Sequence, residues 1–179
     1  MTQYNKPTER VVVIGDFVLD KEFKIEAATN MYPRRLVKRG SADGLIVVGT
    51  AGCTPLGVLG FEECHELHRP KDANGKFSID AIYAVNAKVP VHRGQKIVTL
   101  ILSTDSVVEG DALVAGADGK VRKAVAISIP SGGTQVTSTS ANPTLLGSLP
   151  AAGPVVAFAE EAQDASGSDK VLMARWVLG

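Results

Sequence analysis

The sequence is 179 residues long, which is enough for one ordinary domain that buries roughly 70% of its unfolded surface without help from disulfides or metals. Its 19 basic and 19 acidic residues cancel, so no overall field draws the protein to nucleic acid or to an anionic membrane. The two cysteines are too few for a disulfide framework, and we expect both to be thiols in a reducing cytoplasm.

The first ten residues, 1–10, are predicted to form a flexible arm. Met1 and Tyr4 are the sizeable apolar groups of this segment, so it cannot build a core, and its proline disfavours helix and central strand. The apolar run that follows, "VVVIGDFVLD", is interrupted by Gly15 and Asp16 before it reaches the length of a membrane span. We therefore expect neither a signal peptide nor a transmembrane helix.

Residues 11–179 are predicted to form one mainly β domain, a single β-barrel or β-tulip built from short strands. Glycine (18 residues), proline (9 residues), valine, alanine and threonine are abundant, and almost no long stretch has the apolar spacing of a helix. In chain order the predicted strands are "ERVVVIG", "RRLVKR", "LIVVG", "GVLGFE", "FSIDAIYA", "AKVPV", "KIVTLIL", "DALVAG", "KVRKAVAISI", "PVVAFAE" and "KVLMARWVL".

Turn signals separate these strands at short intervals. They are "ADGL", "DANGK", "HRGQ", "VEGD" and "ADGK", and each offers Gly or Asn where a turn needs positive φ. Turns spaced in this regular way are typical of a barrel or a sandwich.

Two stretches depart from the strand pattern. The segment from Ser128 to Gly153 is rich in Ser, Thr, Gly and Pro, which predicts a long loop or hairpin insertion. The stretch "AFAEEAQDA", residues 157–165, is the best candidate for a helix, of a turn or two.

The chain also contains a faint internal echo. "RLVKRGSADGLIVV" followed by "PLGVLGFEE" is matched by "ALVAGADGKVRKA" followed by "PVVAFAEEA". Each half has Leu-Val, then Asp-Gly, then an apolar run that ends in Phe and acidic residues. Either a duplication or the recurrence of alternating strands with common turn residues produces such a pattern.

The densest set of chemically versatile side chains is "FEECHELH", residues 61–68. Its histidines, His65 and His68, are three apart, whereas the zinc-protease motif needs histidines four apart on a helix. Cys53, Cys64 and one histidine would form a zinc site if the fold brought them together, but a solvated loop with one buried thiol is the preferred interpretation. The hydroxyl-rich "PSGGTQVTSTS" lacks the spacing and the lysine of a phosphate loop. We therefore expect no catalytic residues, no cofactor and no metal.

The basic stretch "RRLVKR" contains four cations. On a strand, Arg35 and Arg39 would share one face, and Arg34 and Lys38 would share the other. A solvated edge strand, whose charges discourage unwanted pairing, explains them. The functional alternative is a patch that meets an acidic protein surface. Aromatic residues are few and none interleaves with this stretch, which argues against nucleic-acid binding.

Several blocks, taken in order, resemble the cement (decoration) proteins that bind the outside of tailed-phage heads. The blocks are "YPRRLVKRGSADGLIVVGTAG", "PLGVLGFE", "AKVPVHRGQKIVTLIL", "VVEGDALVAGADGKVRKA" and "GPVVAFAEEAQDASGSDKVLMARWVL". Gly110 and Asp111 match the "V-x-x-G-D" turn of that family, and "AFAEEA" with "VLMARWVL" matches its closing block. The chain departs from the family at Arg34 and Arg35, where a Gly is common, and in the length of the Ser128–Gly153 insertion.

The resemblance implies a β-rich, non-enzymatic structural protein of the virion, assembled in the host cytoplasm and seated on the outer capsid surface. It implies two partners, the major capsid protein and further copies of this chain in a homotrimer, and neither nucleic acid nor membrane. We expect the capsid or subunit contacts to involve cations and the arm: Tyr4, Lys6, Arg10, Arg34, Arg35, Lys38 and Arg39.

Two other functions remain open. A head-fibre or tail component of a virion would share the same composition and turn pattern. A carbohydrate-binding or hydrolytic β-barrel normally needs surface aromatics or paired acids in a cleft. Trp176 is the sole tryptophan and lies in the terminal apolar strand, where it is expected to be core.

Overall fold

A computed structural model describes residues 11–14, 21–60, 82–94, 96–125 and 153–178. Within these ranges the structure consists of strands and one 3-10 turn at Ala117–Gly119. The strands are β1 (Val12–Ile14), β2 (Lys21–Ile25), β3 (Leu36–Arg39), β4 (Leu45–Val48), β5 (Gly57–Leu59), β6 (Lys88–His92), β7 (Lys96–Leu102), β8 (Ser106–Val107), β9 (Ala112–Ala115), β10 (Val121–Lys123), β11 (Val155–Ala159), β12 (Gln163–Asp164) and β13 (Lys170–Trp176).

The first barrel is a closed ring of five strands in the order β2-β4-β3-β5-β6. β2 and β4 run parallel, and the other neighbours run antiparallel. Alternate side chains of these short strands point inward and form a compact apolar core. Its buried members are Phe23, Ile25, Met31, Val37, Ile46, Leu59, Val89 and Val91.

The second barrel is also a ring of five strands, β7-β10-β9-β11-β13, which closes where β13 pairs with β7 over its whole length. β1 adds to β7 as a further strand, and β8 with β12 forms a separate two-stranded ribbon. Leu36 and Val58 come from the first barrel but pack into the core of the second. The two cores therefore meet.

The two barrels have the same topology. In each ring one parallel pair is followed by four antiparallel pairs, and the equivalent strands are β2 and β7, β3 and β9, β4 and β10, β5 and β11, and β6 and β13. The registers agree as well. Ile25 pairs with Ile46 as Leu102 pairs with Val121.

The turns that lead into β3 and β9 repeat the same hydrogen bonds. The Arg34 N–H donates to the Leu59 carbonyl at 2.9 Å, and the Gly110 N–H donates to the Ala159 carbonyl at 2.8 Å. Arg34 and Gly110 both have positive φ, at 69° and 88°. The two barrels therefore form a structural repeat in which residues can be matched one by one. The Asp-Gly turns of the sequence echo are equivalent in this repeat, whereas its Leu-Val pairs are offset by one residue, because Val37 is equivalent to Leu113.

The prediction of a mainly β fold is confirmed, and the strands form two barrels where the pattern indicated one. β7 has the bounds predicted from "KIVTLIL". Four of the predicted turn glycines, at positions 44, 94, 110 and 119, have positive φ. The turn "DANGK", the arm at 1–10 and the insertion at 128–152 lie outside the described residues.

The predicted helix at residues 157–165 is wrong. That stretch contains the end of β11 and all of β12, with Ala157 and Ala159 buried inside the second barrel. Pairing with β9 and β13 supplies the backbone with partners, which overrides the helix propensity of Ala and Glu. Among the described residues there is no helix long and apolar enough to cross a membrane.

Candidate functional site

Each barrel has two ends, which we distinguish by its Ala-Asp-Gly turn. The turn end carries that turn, at residues 42–44 in the first barrel and 117–119 in the second. The base end is the opposite one, where β3 and β9 begin. The base end of the first barrel packs on the turn end of the second, and we call this contact the junction. The other two ends face outward.

Main-chain contacts cross the junction. The Gly119 N–H donates to the Gly49 carbonyl at 2.8 Å, and the Gly52 N–H donates to the Ala115 carbonyl at 2.9 Å. A side chain at Gly119 would not fit, because a Cβ there would lie 2.6 Å from the Leu36 carbonyl oxygen. The backbones of the two barrels are therefore in direct contact.

Arg34 lies inside the junction and is 2% exposed. Its Nε donates to the hydroxyl of Thr99 at 3.0 Å, and Thr99 is itself buried. A buried guanidinium is tolerated when it is hydrogen-bonded, so this contact holds the two barrels together. The strand-face assignment for Arg34 is corrected, since β3 begins at Leu36 and Arg34 precedes it in a turn.

Arg35 also reaches across the junction. Its Nη1 donates to the Asp118 carbonyl at 3.3 Å, and its guanidinium lies 5.7 Å from the centroid of the Tyr32 ring, within cation–π distance. Asn30 reinforces the contact, because its Nδ2 donates to Asp118 Oδ1 at 3.0 Å. Arg34 and Arg35 of the predicted basic patch thus both have partners within the chain.

Lys38 and Arg39, both in β3, differ in exposure. The Lys38 Nζ donates to the Thr50 hydroxyl at 3.2 Å and is half-buried, whereas Arg39 is exposed at the end of β3. Of the four cations of the basic stretch, Arg39 therefore lies at an outward-facing barrel end. Whether any of the four touches a capsid stays a prediction.

The turn end of the first barrel is an open cavity of about 230 Å³. Its apolar lining, Phe23, Leu45 and Leu56, is buried or half-buried, and its charged residues are exposed. The charged residues are Arg39, Asp43 and Arg93. The sequence pattern identified Arg39 but not Arg93, because "HRGQ" indicated a turn and nothing indicated that the residue after β6 would line the same cavity as the end of β3.

The base end of the second barrel is the other outward surface, and it is apolar at its tip. Val108 and Val125 are 58% and 59% exposed. Beneath them, Asp111 closes the turn by accepting the Val108 N–H at 2.8 Å and the Lys123 Nζ at 2.7 Å. The hydrogen bond from Lys123, followed by that from the Val108 N–H, lowers the pKa of Asp111. These hydrogen bonds thus hold the "VVEGD" turn at the barrel end where the exposed valines lie.

A second cavity, of about 360 Å³, lies on the outside of the second barrel beside this turn. Arg175 borders it and is held by an ion pair of 2.9 Å with Glu160. Gly110, Phe158, Trp176 and Val177 complete the lining. Trp176 is 1% exposed, as expected for a core residue.

The zinc hypothesis involves one residue inside the described ranges and three outside them. Cys53 is half-buried with a free thiol, whereas Cys64, His65 and His68 lie outside the described residues. In the ranges that the structure describes, no three His, Cys, Asp or Glu side chains cluster as metal ligands. Tyr4, Lys6 and Arg10 of the arm also lie outside those ranges.

Comparison with protein-family models and with curated protein sequences gives no match. Among solved structures, the protein is similar to the crystal structure of the head fiber gp8.5 N base of bacteriophage phi29. The TM-score is 0.49 and the sequence identity 11%, over 88% of this chain and 92% of that chain.

Proposed function

We propose that this protein is a non-enzymatic structural component of a phage virion that binds the outer surface of the assembled capsid and clamps neighbouring capsomers. Its partners are the major capsid protein and further copies of itself in a homotrimer. The proposal starts from the sequence blocks shared with cement proteins, which here form the turns and strands of both barrels. The observation that carries it is the presence of two chemically different outward surfaces at opposite ends of one chain.

A clamp needs two such surfaces, because it must touch two neighbours at once, each of them either a capsomer or another copy of the chain. The turn end of the first barrel offers exposed cations, Arg39 and Arg93, beside an apolar lining. The base end of the second barrel offers Val108 and Val125. Each such contact is weak on its own. Once one contact of a trimer has formed, however, the others form at a high effective concentration, which strengthens the binding of the whole trimer. Binding the assembled lattice alone then stabilises the lattice by mass action.

Capsids that lack the protein provide the test. Purified protein is added to them, and the particles are imaged by cryo-electron microscopy and heated to measure the temperature at which they release DNA. We expect density at the outer surface between capsomers and a higher release temperature. Density confined to a fibre or to the tail would contradict clamping and would favour the head-fibre or tail alternative.

A variant pair tests the surface itself. Arg39→Glu reverses an exposed charge at the outward turn end, and Lys88→Glu makes the equivalent change at the start of β6, the end of that strand remote from Arg93. We expect Arg39→Glu to lower capsid occupancy and Lys88→Glu to leave it unchanged. Equal occupancy for both variants would show that the turn end of the first barrel does not contact the capsid.

A further inference from the structure

The repeat places two equivalent surfaces in one chain, one covered and one open. Gly119 at the turn end of the second barrel is buried under the first barrel, and a Cβ there would lie 2.6 Å from the Leu36 carbonyl oxygen. Its equivalent, Gly44, is exposed, and a Cβ there would meet nothing within 4 Å. The surface that makes the junction in the second barrel is therefore uncovered in the first.

The complementary surface is also present twice. The first barrel uses Leu36, Gly49 and Val58 of its base end to cover the second barrel. At the base end of the second barrel the register puts Ala112, Ala124 and Phe158 at these positions. All three are small or apolar and partly exposed.

The exposed valines belong to this same free base end. Val108 occupies the position of Tyr32, since each accepts the N–H that closes the turn before β9 or β3. Val125 follows Ala124 as Thr50 follows Gly49. Isolated exposed valines are ordinary, but here they lie on the surface whose equivalent already binds a turn end.

The polar groups at the two free ends are complementary too. In the junction, Asn30 donates to Asp118, and Val48 lies against Gly119. The equivalent of Asp118 is Asp43, which is exposed. The equivalents of Asn30 and Val48 are Ser106 and Lys123. If the free base end covered the open turn end, the Ser106 hydroxyl and the Lys123 ammonium group would thus lie near the Asp43 carboxylate.

We propose that copies of this chain associate head to tail: the free base end of the second barrel of one copy docks on the open turn end of the first barrel of the next, repeating the internal junction. This inference deepens the homotrimer of the proposed function. The two contact surfaces differ, so the interface is heterologous, and it closes into a ring or continues as a filament. It does not by itself give a two-fold dimer.

The first test uses variants that block one end each. Gly44→Asn blocks the turn end with a residue that tolerates positive φ, and Asp43→Lys blocks it without touching the glycine. Val108→Asp with Val125→Asp blocks the base end by placing charges on it. Val85→Asp is the matched control, because Val85 is 48% exposed but lies away from both surfaces. Circular dichroism checks that each variant folds.

Sedimentation velocity then measures association of the free protein. We expect the wild type and Val85→Asp to associate with a Kd below about 1 mM, and each blocked variant to associate more weakly by about tenfold or more. A wild type that stays monomeric at that concentration, or a control that is weakened as much as the blocked variants, would overturn the inference.

Mixing the blocked variants gives the decisive result. Gly44→Asn keeps an intact base end, and the double valine variant keeps an intact turn end, so an equimolar mixture should form a 1:1 complex at concentrations at which each variant alone remains monomeric. A mixture that remains monomeric means that the contact is not head to tail. This experiment contains no capsids, so a failure of self-association would not test capsid binding, which the occupancy measurement decides. A failure of capsid binding would likewise leave the result of the mixing experiment unchanged.

Discussion

At the scale of single residues, the turn at Gly110 and Asp111 shows what the "VVEGD" stretch does in the fold. Gly110 has φ of 88° and its N–H donates to Ala159, while the Asp111 carboxylate accepts from Val108 and Lys123. Each residue is used to position the backbone. The predicted need for positive φ at this glycine was correct because turn chemistry is local and can be read from four residues.

Replacement of Gly110 by valine should destabilise the protein by about 1–2 kcal/mol, because a β-branched side chain is strained at positive φ. Gly110→Asn should cost less, since Asn tolerates this region. Urea denaturation of the isolated protein measures both. Equal costs for valine and asparagine would mean that crowding, and not φ, decides this position.

Asp111 should make stability depend on pH in the acid range. Its pKa is lowered from the ordinary value of 3.8, first by the hydrogen bond from Lys123. A carboxylate whose pKa is lowered by folding contributes stability that is fully present above its unfolded pKa and is lost as the pH falls through the folded value. The stability difference between wild type and Asp111→Asn should therefore be constant between about pH 5 and pH 7 and shrink below about pH 4.

The lysine provides the control for this pH effect. Lys123→Met removes the largest cause of the lowered pKa of Asp111 and should reduce the pH-dependent part of the stability. An unchanged acid profile in Lys123→Met, measured by the same urea titrations, would contradict the assignment.

At the scale of elements, strands with strong alternation were predictable and short or polar strands were not. β7 and β13 are long apolar strands whose patterns are visible in the sequence; β7 is buried at five of its seven positions, and β13 is buried at alternate positions. β2, "KEFKI", is mostly polar because one face of it is exposed, and β8 and β12 have two residues each. Their pairing depends on ring closure, which is a non-local property.

The junction was not predictable from "RRLVKR" for the same reason. Charge alone suggests a solvated strand, whereas Arg34 and Arg35 turn toward the second barrel and find partners more than 60 residues away. The outward placement of Arg39 agrees with the solvated interpretation. The basic stretch thus divides at the start of β3: Arg34 and Arg35 make contacts across the junction, whereas Lys38 is half-buried and Arg39 is exposed.

Thr99→Val should destabilise the protein by about 1–3 kcal/mol, because it removes the hydroxyl that accepts from the buried Arg34 Nε without changing side-chain size. Thr54→Val is the matched control at an exposed threonine, and should change stability by less than about 0.5 kcal/mol. Thermal melting compares the two. Similar melting temperatures would show that the Arg34 contact contributes little to the junction.

At the scale of the whole molecule, the two barrels share one contact through which their cores meet. Leu36 and Val58 lie in the core of the second barrel although their backbone belongs to the first. The outward ends are therefore held at fixed positions on one body. Their arrangement follows from the repeat, which the faint echo of Asp-Gly turns indicated without showing how the two halves would pack.

The N-terminal arm gives a prediction at this scale. Deleting residues 2–9 should leave the melting temperature of the isolated protein nearly unchanged and lower its occupancy on capsids, because Tyr4 and Lys6 would be lost from the proposed contact surface. Ordering such a segment costs affinity that several simultaneous contacts offset. Equal occupancy with and without the arm would show that the arm contributes nothing to binding.

The repeat also indicates the order in which the internal junction and the contacts of the open end form. Trp176 and Arg93 occupy equivalent positions at a turn end, as do Ala115 and Arg39, yet the second barrel has apolar residues where the first has cations. A permanent contact can be as apolar as a protein core, whereas a surface that is exposed to water before it binds a partner must remain partly polar. The junction inside the chain thus forms during folding, and contacts made by the open end form later and are the first to be lost on dilution.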